Sequence, residues 1–192
     1  MNGTDDLVDA LSPVVAAFRA LAIRHFVGGS VASSFHGAAR ATMDVDVVCE
    51  LTEDKISSFI ELFDHDFYIS ELAVRDAVGR KSCFNLIHMP TSFKVDVFVS
   101  RGRTFDLESM QRASLQVLGE HRTVEVPIAS AEDSIVSKLE WFRLTNETSE
   151  RQWDDASRLI NLLSEAADIA YLKKAAESVG VTDLLSKLLK QK

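Results

Sequence analysis

Three aspartates occupy positions from which their side chains could bind metal ions. Asp44 and Asp46 alternate with apolar residues along residues 43–50, which is the period of a β-strand with one buried side, so both carboxylates point the same way. Asp96 lies on the polar side of a second alternating stretch, residues 93–99. Like charges oppose one another's ionisation, so three carboxylates that meet are usually stabilised by a cation. Because oxygen-only ligands select hard ions, the pattern predicts bound Mg²⁺ or Mn²⁺.

A simpler interpretation of Asp44 and Asp46 stays open at this point. An exposed sheet edge shows the same alternation when its polar side chains merely face solvent. The alternative is a catalytic metal site. Two ions held by carboxylates and substrate phosphates can activate an attacking hydroxyl and stabilise a departing pyrophosphate. The segment upstream of the aspartates helps to choose between the two interpretations.

That upstream segment is a glycine-rich turn. Gly28, Gly29 and Ser30 follow the apolar stretch 25–27 and precede a predicted helix. Backbone N–H groups at such a turn can approach phosphate oxygens, and the Ser30 hydroxyl is a further donor. The turn is not a Walker loop, since no Gly-Lys-Ser/Thr follows, and it is not a dinucleotide fingerprint, since the third glycine is missing. Taken alone, it could equally be an ordinary turn.

In combination, these motifs resemble the polymerase-beta-type nucleotidyltransferase superfamily. The likeness is to its small bacterial members, which include relatives of abortive-infection toxins and of antibiotic-modifying enzymes. The motifs are Val27-Gly28-Gly29-Ser30, then Arg40-Ala41-Thr42-Met43-Asp44-Val45-Asp46, and then Val95-Asp96-Val97. The resemblance implies an α+β fold with a mixed sheet flanked by helices. It also implies Mg²⁺-dependent transfer of a nucleoside monophosphate from a nucleoside triphosphate, such as ATP, to a hydroxyl acceptor.

The resemblance further implies a role for each matching residue. Asp44 and Asp46 would ligate metal, while Asp96 would complete the metal site and help to deprotonate the acceptor hydroxyl. Arg40 could instead be a surface arginine paired with a carboxylate, because arginine suits phosphate and carboxylate equally well. The residues expected to hold the triphosphate or to brace its loop are Gly28, Gly29, Ser30, Arg40 and Thr42.

The resemblance extends into a helical tail, where residues 137–143 and 149–155 look like the tail of uncharacterised small bacterial nucleotidyltransferase-like proteins. Lys138 falls at the margin of its helix's apolar stripe, where its stem can be covered while its ammonium reaches a phosphate. The resemblance makes Lys138 a neighbour of the triphosphate or metal site, and a surface lysine is the alternative. Asp155 would pair with Lys138 or with Arg143.

The elements that must position these residues form two predicted regions. Residues 1–129 are predicted to be the nucleotidyltransferase-fold catalytic domain, and residues 130–192 a C-terminal helical region that begins at the cap Ser130. An N-terminal helix is predicted over residues 6–24, broken or restarted at Pro13. Strands are predicted near residues 25–27, 43–50, 67–69, 84–88, 93–99 and 124–127.

Composition limits the partners that this chain can have. No apolar run approaches the roughly 20 residues needed to span a bilayer, and the N-terminus begins acidic, so a cytoplasmic location without membrane contact is expected. The net charge of −8 opposes loose attraction to nucleic acid, so an RNA partner would need a local basic patch. The candidates are Arg101 with Arg103, and Arg143 with Arg151. The two cysteines lack metal-ligand spacing and are expected to be small buried residues.

Three hypotheses about function follow from these features. The first is an enzyme that transfers a nucleotidyl group to an acceptor, which could be an antibiotic hydroxyl, a protein side chain or an RNA 3′ end. The second is a non-catalytic relative of the fold that binds a nucleotide or a partner protein. The third is the toxin of a toxin–antitoxin pair that acts on RNA and binds an antitoxin protein. Fold resemblance alone does not choose between acceptors.

Overall fold

The centre of the molecule is a seven-stranded mixed sheet, seen in a computed structural model that describes residues 3–39 and 42–191. The strands follow the order β3-β4-β5-β2-β1-β7-β6. The pairs β2 with β5 and β1 with β7 are parallel, and the other neighbours are antiparallel. The strands are β1 (His25–Val27), β2 (Asp44–Cys49), β3 (Phe67–Ile69), β4 (Cys83–His88), β5 (Phe93–Val99), β6 (Ser114–Leu118) and β7 (Val124–Ile128).

Helices flank the sheet and make up the C-terminal part of the chain, which is the α+β architecture that the sequence predicted. Of the helices within the described residues, none combines the length and the apolarity that crossing a bilayer requires. The helices are α1 (Gly3–Ala20), α2 (Gly29–Phe35), α3 (Ile56–Glu61), α4 (Glu71–Arg80), α5 (Thr104–Arg112), α6 (Ala131–Leu144), α7 (Glu150–Leu163), α8 (Ile169–Ser178) and α9 (Thr182–Lys190).

Alternation along β2 and β5 decides which side of the sheet holds the core. Val45 and Val47 of β2 and the three valines of β5 are fully or almost fully buried, and they belong to one apolar cluster with the buried side of α1. The intervening polar residues of both strands are only partly buried, so they lie on the opposite side of the sheet. The period of two along a strand therefore separates a packing side from a side that is available for chemistry.

A second apolar cluster holds the helical region together. It is formed by the buried sides of α6, α7, α8 and α9, and it also includes Ala38 and Phe105 from the preceding part of the chain. Helix α6 begins where the sequence predicted, because the Ser130 hydroxyl accepts a hydrogen bond from the Asp133 N–H at 3.1 Å. The division into domains 1–129 and 130–192 stays a prediction, since the second cluster draws on residues from both.

Two predictions about local structure were wrong. Helix α1 runs through Pro13 without a break, because the buried apolar side on both flanks of the proline holds the helix in place despite the lost hydrogen bond. The Ser12 hydroxyl donates to the Val8 carbonyl at 2.7 Å one turn earlier. Cys83 is exposed rather than buried, whereas Cys49 is buried as expected. Helix α5 and the edge strand β6 were not predicted.

Candidate active site

The three aspartates lie on the same side of the two central strands. In the parallel pairing of β2 with β5, Asp46 lies directly beside Asp96, and Asp44 lies beside Lys94. The burial of alternate residues puts all four side chains opposite the valine core. The carboxylates of Asp46 and Asp96 are therefore neighbours across one strand spacing, although 49 residues separate them in the chain.

The electrostatics of Asp46 reflect this crowding. The pKa of Asp46 is raised from 3.8 to about 6, first by burial and then by the negative charge of Asp44; Asp96 raises it further, while Lys138 and Lys94 lower it. Burial and like charge both disfavour the ionised carboxylate. The metal-free protein therefore holds this carboxylate at a cost in stability, which a bound cation would offset.

This cost predicts a pH-dependent gain in stability for Asp46→Asn. An acid whose folded pKa exceeds its unfolded pKa contributes stability at low pH, and that contribution is lost as pH rises from about 4 to about 6. In the absence of divalent metal, we expect the variant to exceed the wild type in free energy of unfolding by about 2 kcal/mol at pH 8, and to match it near pH 4. Urea denaturation at the two pH values with EDTA measures the difference. An advantage that does not change with pH would contradict this explanation.

The glycine turn lies against Asp46. The Gly28 N–H donates to the Asp46 carbonyl at 2.9 Å, and Gly29 has a positive φ of 58°. A Cβ at Gly29 would come within 1.6 Å of the Asp46 Oδ2 atom. Only glycine therefore fits here, both for its backbone conformation and for the close approach of the carboxylate.

Gly29→Ala is accordingly expected to destabilise the fold beyond the usual effect of positive φ. Gly102 is a matched control, because its φ is 72° and a Cβ there would meet no atom within 4 Å. We expect Gly102→Ala to lower the free energy of unfolding by about 1 kcal/mol and Gly29→Ala by about 2 kcal/mol. Urea denaturation measures both losses. Equal losses would mean that Asp46 moves aside freely.

Ser30 and Thr42 connect the glycine turn to Asp44 through their hydroxyls. The Ser30 hydroxyl donates to the Thr42 Oγ1 atom at 3.1 Å, and the Thr42 hydroxyl donates to the Asp44 Oδ1 atom at 2.5 Å. Ser30 is 1% exposed. This chain of hydroxyls restrains the Asp44 carboxylate. Arg40, the remaining residue predicted for this loop, lies outside the described residues.

Lys138 is buried beside the carboxylates and is held by an ion pair. Its Nζ atom lies 3.0 Å from the Asp155 Oδ2 atom, and the two side chains are 6% and 4% exposed. Asp155 thus pairs with Lys138 and not with Arg143, which contacts Asp183 at 2.6 Å. The positive charge of Lys138 reaches Asp46, whose pKa it lowers. Helix α6 therefore contributes a positive charge close to the carboxylate group.

A cleft of 530 Å³ lies between this side of the sheet and helices α6 and α7. Asp44, Asp46 and the two glycines of the turn line one end. One step further along the strands is an apolar row in which Phe26, Val48 and Phe98 lie side by side in register. Trp141, which is 41% exposed, meets the Phe98 ring with 5.9 Å between centroids. The cleft thus combines an acidic end with an aromatic wall.

Basic side chains also line the cleft. Lys81, Arg101, Arg103 and Arg151 are among its lining residues. Arg103 is bound to Glu140 and Asp106, and Arg101 lies 3.8 Å from Glu140. None of the ion pairs found within the described chain engages Lys81 or Arg151. Of the two basic patches predicted from the sequence, Arg101 with Arg103 lies at the cleft. In the second patch, Arg151 is a lining residue of the cleft, whereas Arg143 is not and is paired with Asp183.

Trp153 and Lys94 were not among the predicted site residues, and the structure gives them different positions. Trp153 packs against Phe142 in the helical cluster, with 5.3 Å between ring centroids, and does not line the cleft. Lys94 was missed, although its Nζ atom lies 2.7 Å from the Asp96 Oδ2 atom. The alternation of residues 93–99 already put Lys94 on the same side as Asp96, and that signal could have identified it.

The donor set at the carboxylates fits a hard divalent cation. All three groups offer oxygen only, they lie on one side of two paired strands, and burial together with the charge of Asp44 raises the pKa of Asp46. Their oxygens are not gathered as tightly as a bound ion requires. Within the described residues, the three-residue group with ligand atoms within 4.8 Å of one another is Asp64, His65 and Asp66, an acidic turn before β3 with two exposed members. Hydrogen bonds from Thr42 and Lys94 hold two of the three carboxylates.

Comparison with known proteins bears on the fold. No protein-family model and no curated protein sequence matches this chain. An antigenic nucleotidyltransferase-like protein from Paracoccidioides brasiliensis is 20% identical, with a TM-score of 0.53 over 98% of this chain and 94% of that chain. The antibiotic-resistance factor ANT(2'')-Ia is 10% identical, with a TM-score of 0.52 over 100% of this chain and 99% of that chain. The chain therefore has the nucleotidyltransferase-like fold that its motifs predicted.

Proposed function

We propose that this protein is a Mg²⁺-dependent nucleotidyltransferase that transfers a nucleoside monophosphate from a nucleoside triphosphate to a hydroxyl acceptor. One observation carries the proposal: Asp46 and Asp96 lie side by side with Asp44 on the same side of the sheet, and Asp44 and Asp46 line a cleft that the glycine turn also lines. A nucleotidyltransferase-like fold with carboxylates in this arrangement supports phosphorus chemistry better than a solvated polar strand.

In this proposal, Asp44 and Asp46 hold Mg²⁺ or Mn²⁺, and Asp96 completes the site. The ion would supply charge neutralisation for the triphosphate and activation of the acceptor. Ser30 and Thr42 keep the Asp44 carboxylate in place through their hydroxyls. The backbone N–H groups of Gly29 and Ser30 and the nearby Lys138 are the donors for phosphate oxygens in this proposal, since the Gly28 N–H donates to the Asp46 carbonyl. The full proposed set is Gly28, Gly29, Ser30, Arg40, Thr42 and Lys138.

The reaction itself requires little covalent participation by the protein. The acceptor hydroxyl oxygen forms a bond to the α-phosphorus, the bond from that phosphorus to the bridging oxygen breaks, and pyrophosphate leaves. The hydroxyl proton passes to the Asp96 carboxylate. Positioning and electrostatic stabilisation account for most of the catalysis in such transfers, and the rigid alignment of β2 with β5 provides the positioning.

The direct experiment is to incubate the purified protein with Mg²⁺ and each of four α-labelled nucleoside triphosphates. Pyrophosphate release together with label on an acceptor is the expected result. Nucleotide binding in calorimetry without any product would instead favour the non-catalytic relative. No binding of any nucleotide, with or without Mg²⁺, would contradict the proposal.

The basic residues of the cleft favour an anionic acceptor. Lys81 and Arg151, which no ion pair among the described residues engages, would attract the phosphates of an RNA end. Phe98 and Trp141 offer an aromatic wall on which a base could stack. This supports the toxin hypothesis as a second candidate, with RNA as acceptor and an antitoxin protein as partner. Growth arrest on expression, abolished by Asp44→Ala, is the outcome this candidate requires.

A further inference from the structure

Lys94 places a positive charge inside the carboxylate group that the proposed function assigns to metal. It lies beside Asp44 in the pairing of β2 with β5, on the same side of the sheet as the aspartates. Its Nζ atom lies 2.7 Å from the Asp96 Oδ2 atom. An ammonium in hydrogen-bond contact with a carboxylate oxygen supplies part of the charge compensation that a divalent ion would otherwise supply.

The other nearby lysine is already engaged. Lys138 is paired with Asp155 at 3.0 Å, and both side chains are almost fully buried, so moving its ammonium would break a buried ion pair. The Lys94 side chain is 41% exposed, whereas the Asp96 side chain is 15% exposed. The Lys94 ammonium can therefore move into water at little cost, whereas the Asp96 carboxylate stays largely buried.

A lysine and a divalent ion compete for such a carboxylate. An ion bound to Asp96 would lie within a few ångströms of the Lys94 ammonium, where like charges repel strongly. We propose that Lys94 is an internal counter-cation, which occupies Asp96 in the metal-free protein and must be displaced when a divalent ion binds. The inference rests on the proposed metal-dependent function. Its consequence is that free divalent metal binds weakly, and that metal arriving with a polyanionic nucleotide binds much better.

Titration of Mn²⁺ into the nucleotide-free protein tests the inference without any measurement of activity. Calorimetry would compare the wild type with Lys94→Met, with the charge-conserving Lys94→Arg and with Lys81→Met, which removes a lysine that lines the cleft. We expect Lys94→Met to bind Mn²⁺ about tenfold or more tightly than the wild type. The arginine variant and Lys81→Met should stay within about threefold of the wild type.

Two outcomes would overturn the inference. If Lys94→Met binds Mn²⁺ no more tightly than the wild type, Lys94 does not compete with the ion for Asp96. An equal gain in Lys81→Met would show a general effect of net charge. Thermal melting of each variant checks that it is folded, and Lys94→Gln, which also removes the positive charge, carries the comparison if the methionine variant is not.

The same titrations separate this inference from the proposed function. Nucleotidyl transfer by the wild type, together with unchanged Mn²⁺ affinity in Lys94→Met, would overturn only the role of Lys94. If Lys94→Met binds Mn²⁺ more tightly but the wild type shows no nucleotidyl transfer, only the proposed reaction is overturned. The titration is repeated with a bound non-hydrolysable nucleoside triphosphate. Its negative charge should reduce the difference in Mn²⁺ affinity between the wild type and Lys94→Met to about threefold or less.

Discussion

Asp46→Asn is expected to lower nucleotidyl transfer by at least about a thousandfold, because it removes a charged metal ligand from the centre of the site. Asparagine has nearly the shape of aspartate, so the contact with the Gly29 turn is preserved. The amide is neutral and binds a hard cation far more weakly than a carboxylate does. Initial rates of pyrophosphate release at saturating nucleotide, measured over a range of Mg²⁺ concentrations, give the size of the loss.

A matched control for this substitution is Asp66→Asn. Asp66 belongs to the acidic turn before β3, whose three ligand atoms also lie close together. We expect the rate and the Mg²⁺ dependence of this control to equal those of the wild type. If Asp46→Asn keeps its rate within about threefold and its Mg²⁺ dependence is unchanged, Asp46 is not a metal ligand in catalysis.

The second large effect is expected at the buried ion pair between α6 and α7. Lys138→Met should lower the free energy of unfolding by about 3 kcal/mol, because it leaves the Asp155 carboxylate buried without its lysine. Asp155→Leu should have a similar effect by leaving the ammonium buried. Urea denaturation at pH 7, with a shared slope for all variants, measures the two losses.

A double variant and a surface pair complete this experiment. Lys138→Met combined with Asp155→Leu should lose less than the sum of the single losses, since no buried charge is left from the pair. Arg75→Met breaks the exposed contact of Arg75 with Glu71 on α4, and it should lower stability by less than about 0.5 kcal/mol. Strict additivity in the double variant would show that the two buried residues act independently.

Much of the fold could be predicted because the central strands carry a clear period of two. The polar and apolar residues of β2 and β5 alternate without exception from 44 to 47 and from 93 to 97, so their orientation follows directly from the sequence. The cap of α6 could be predicted for a similar reason, since Ser130 is followed by acidic residues and a helical apolar stripe. The placement of Asp44 and Asp46 on one side of a strand rests on the same local pattern.

Other features depend on contacts that the local pattern does not contain. Strand β6 escaped prediction because it is an edge strand whose apolar residues Leu115 and Val117 are exposed, so no buried side distinguishes it. The continuity of α1 through Pro13 depends on tertiary packing that outweighs the lost hydrogen bond. The pairing of Lys138 with Asp155 depends on how α6 meets α7, and the sequence alone left Arg143 as an equal candidate.

The adjacency of Asp46 and Asp96 has a consequence for sequence change over evolution. Their alignment comes from the hydrogen-bond register of two parallel strands, and the connection between those strands runs through residues 50–92. Insertions and deletions within its loops should be tolerated as long as both strands keep their register. A single residue inserted inside either strand would turn one carboxylate towards the valine core. Distant relatives should therefore vary freely in the length of this connection while the strands themselves resist any change in length.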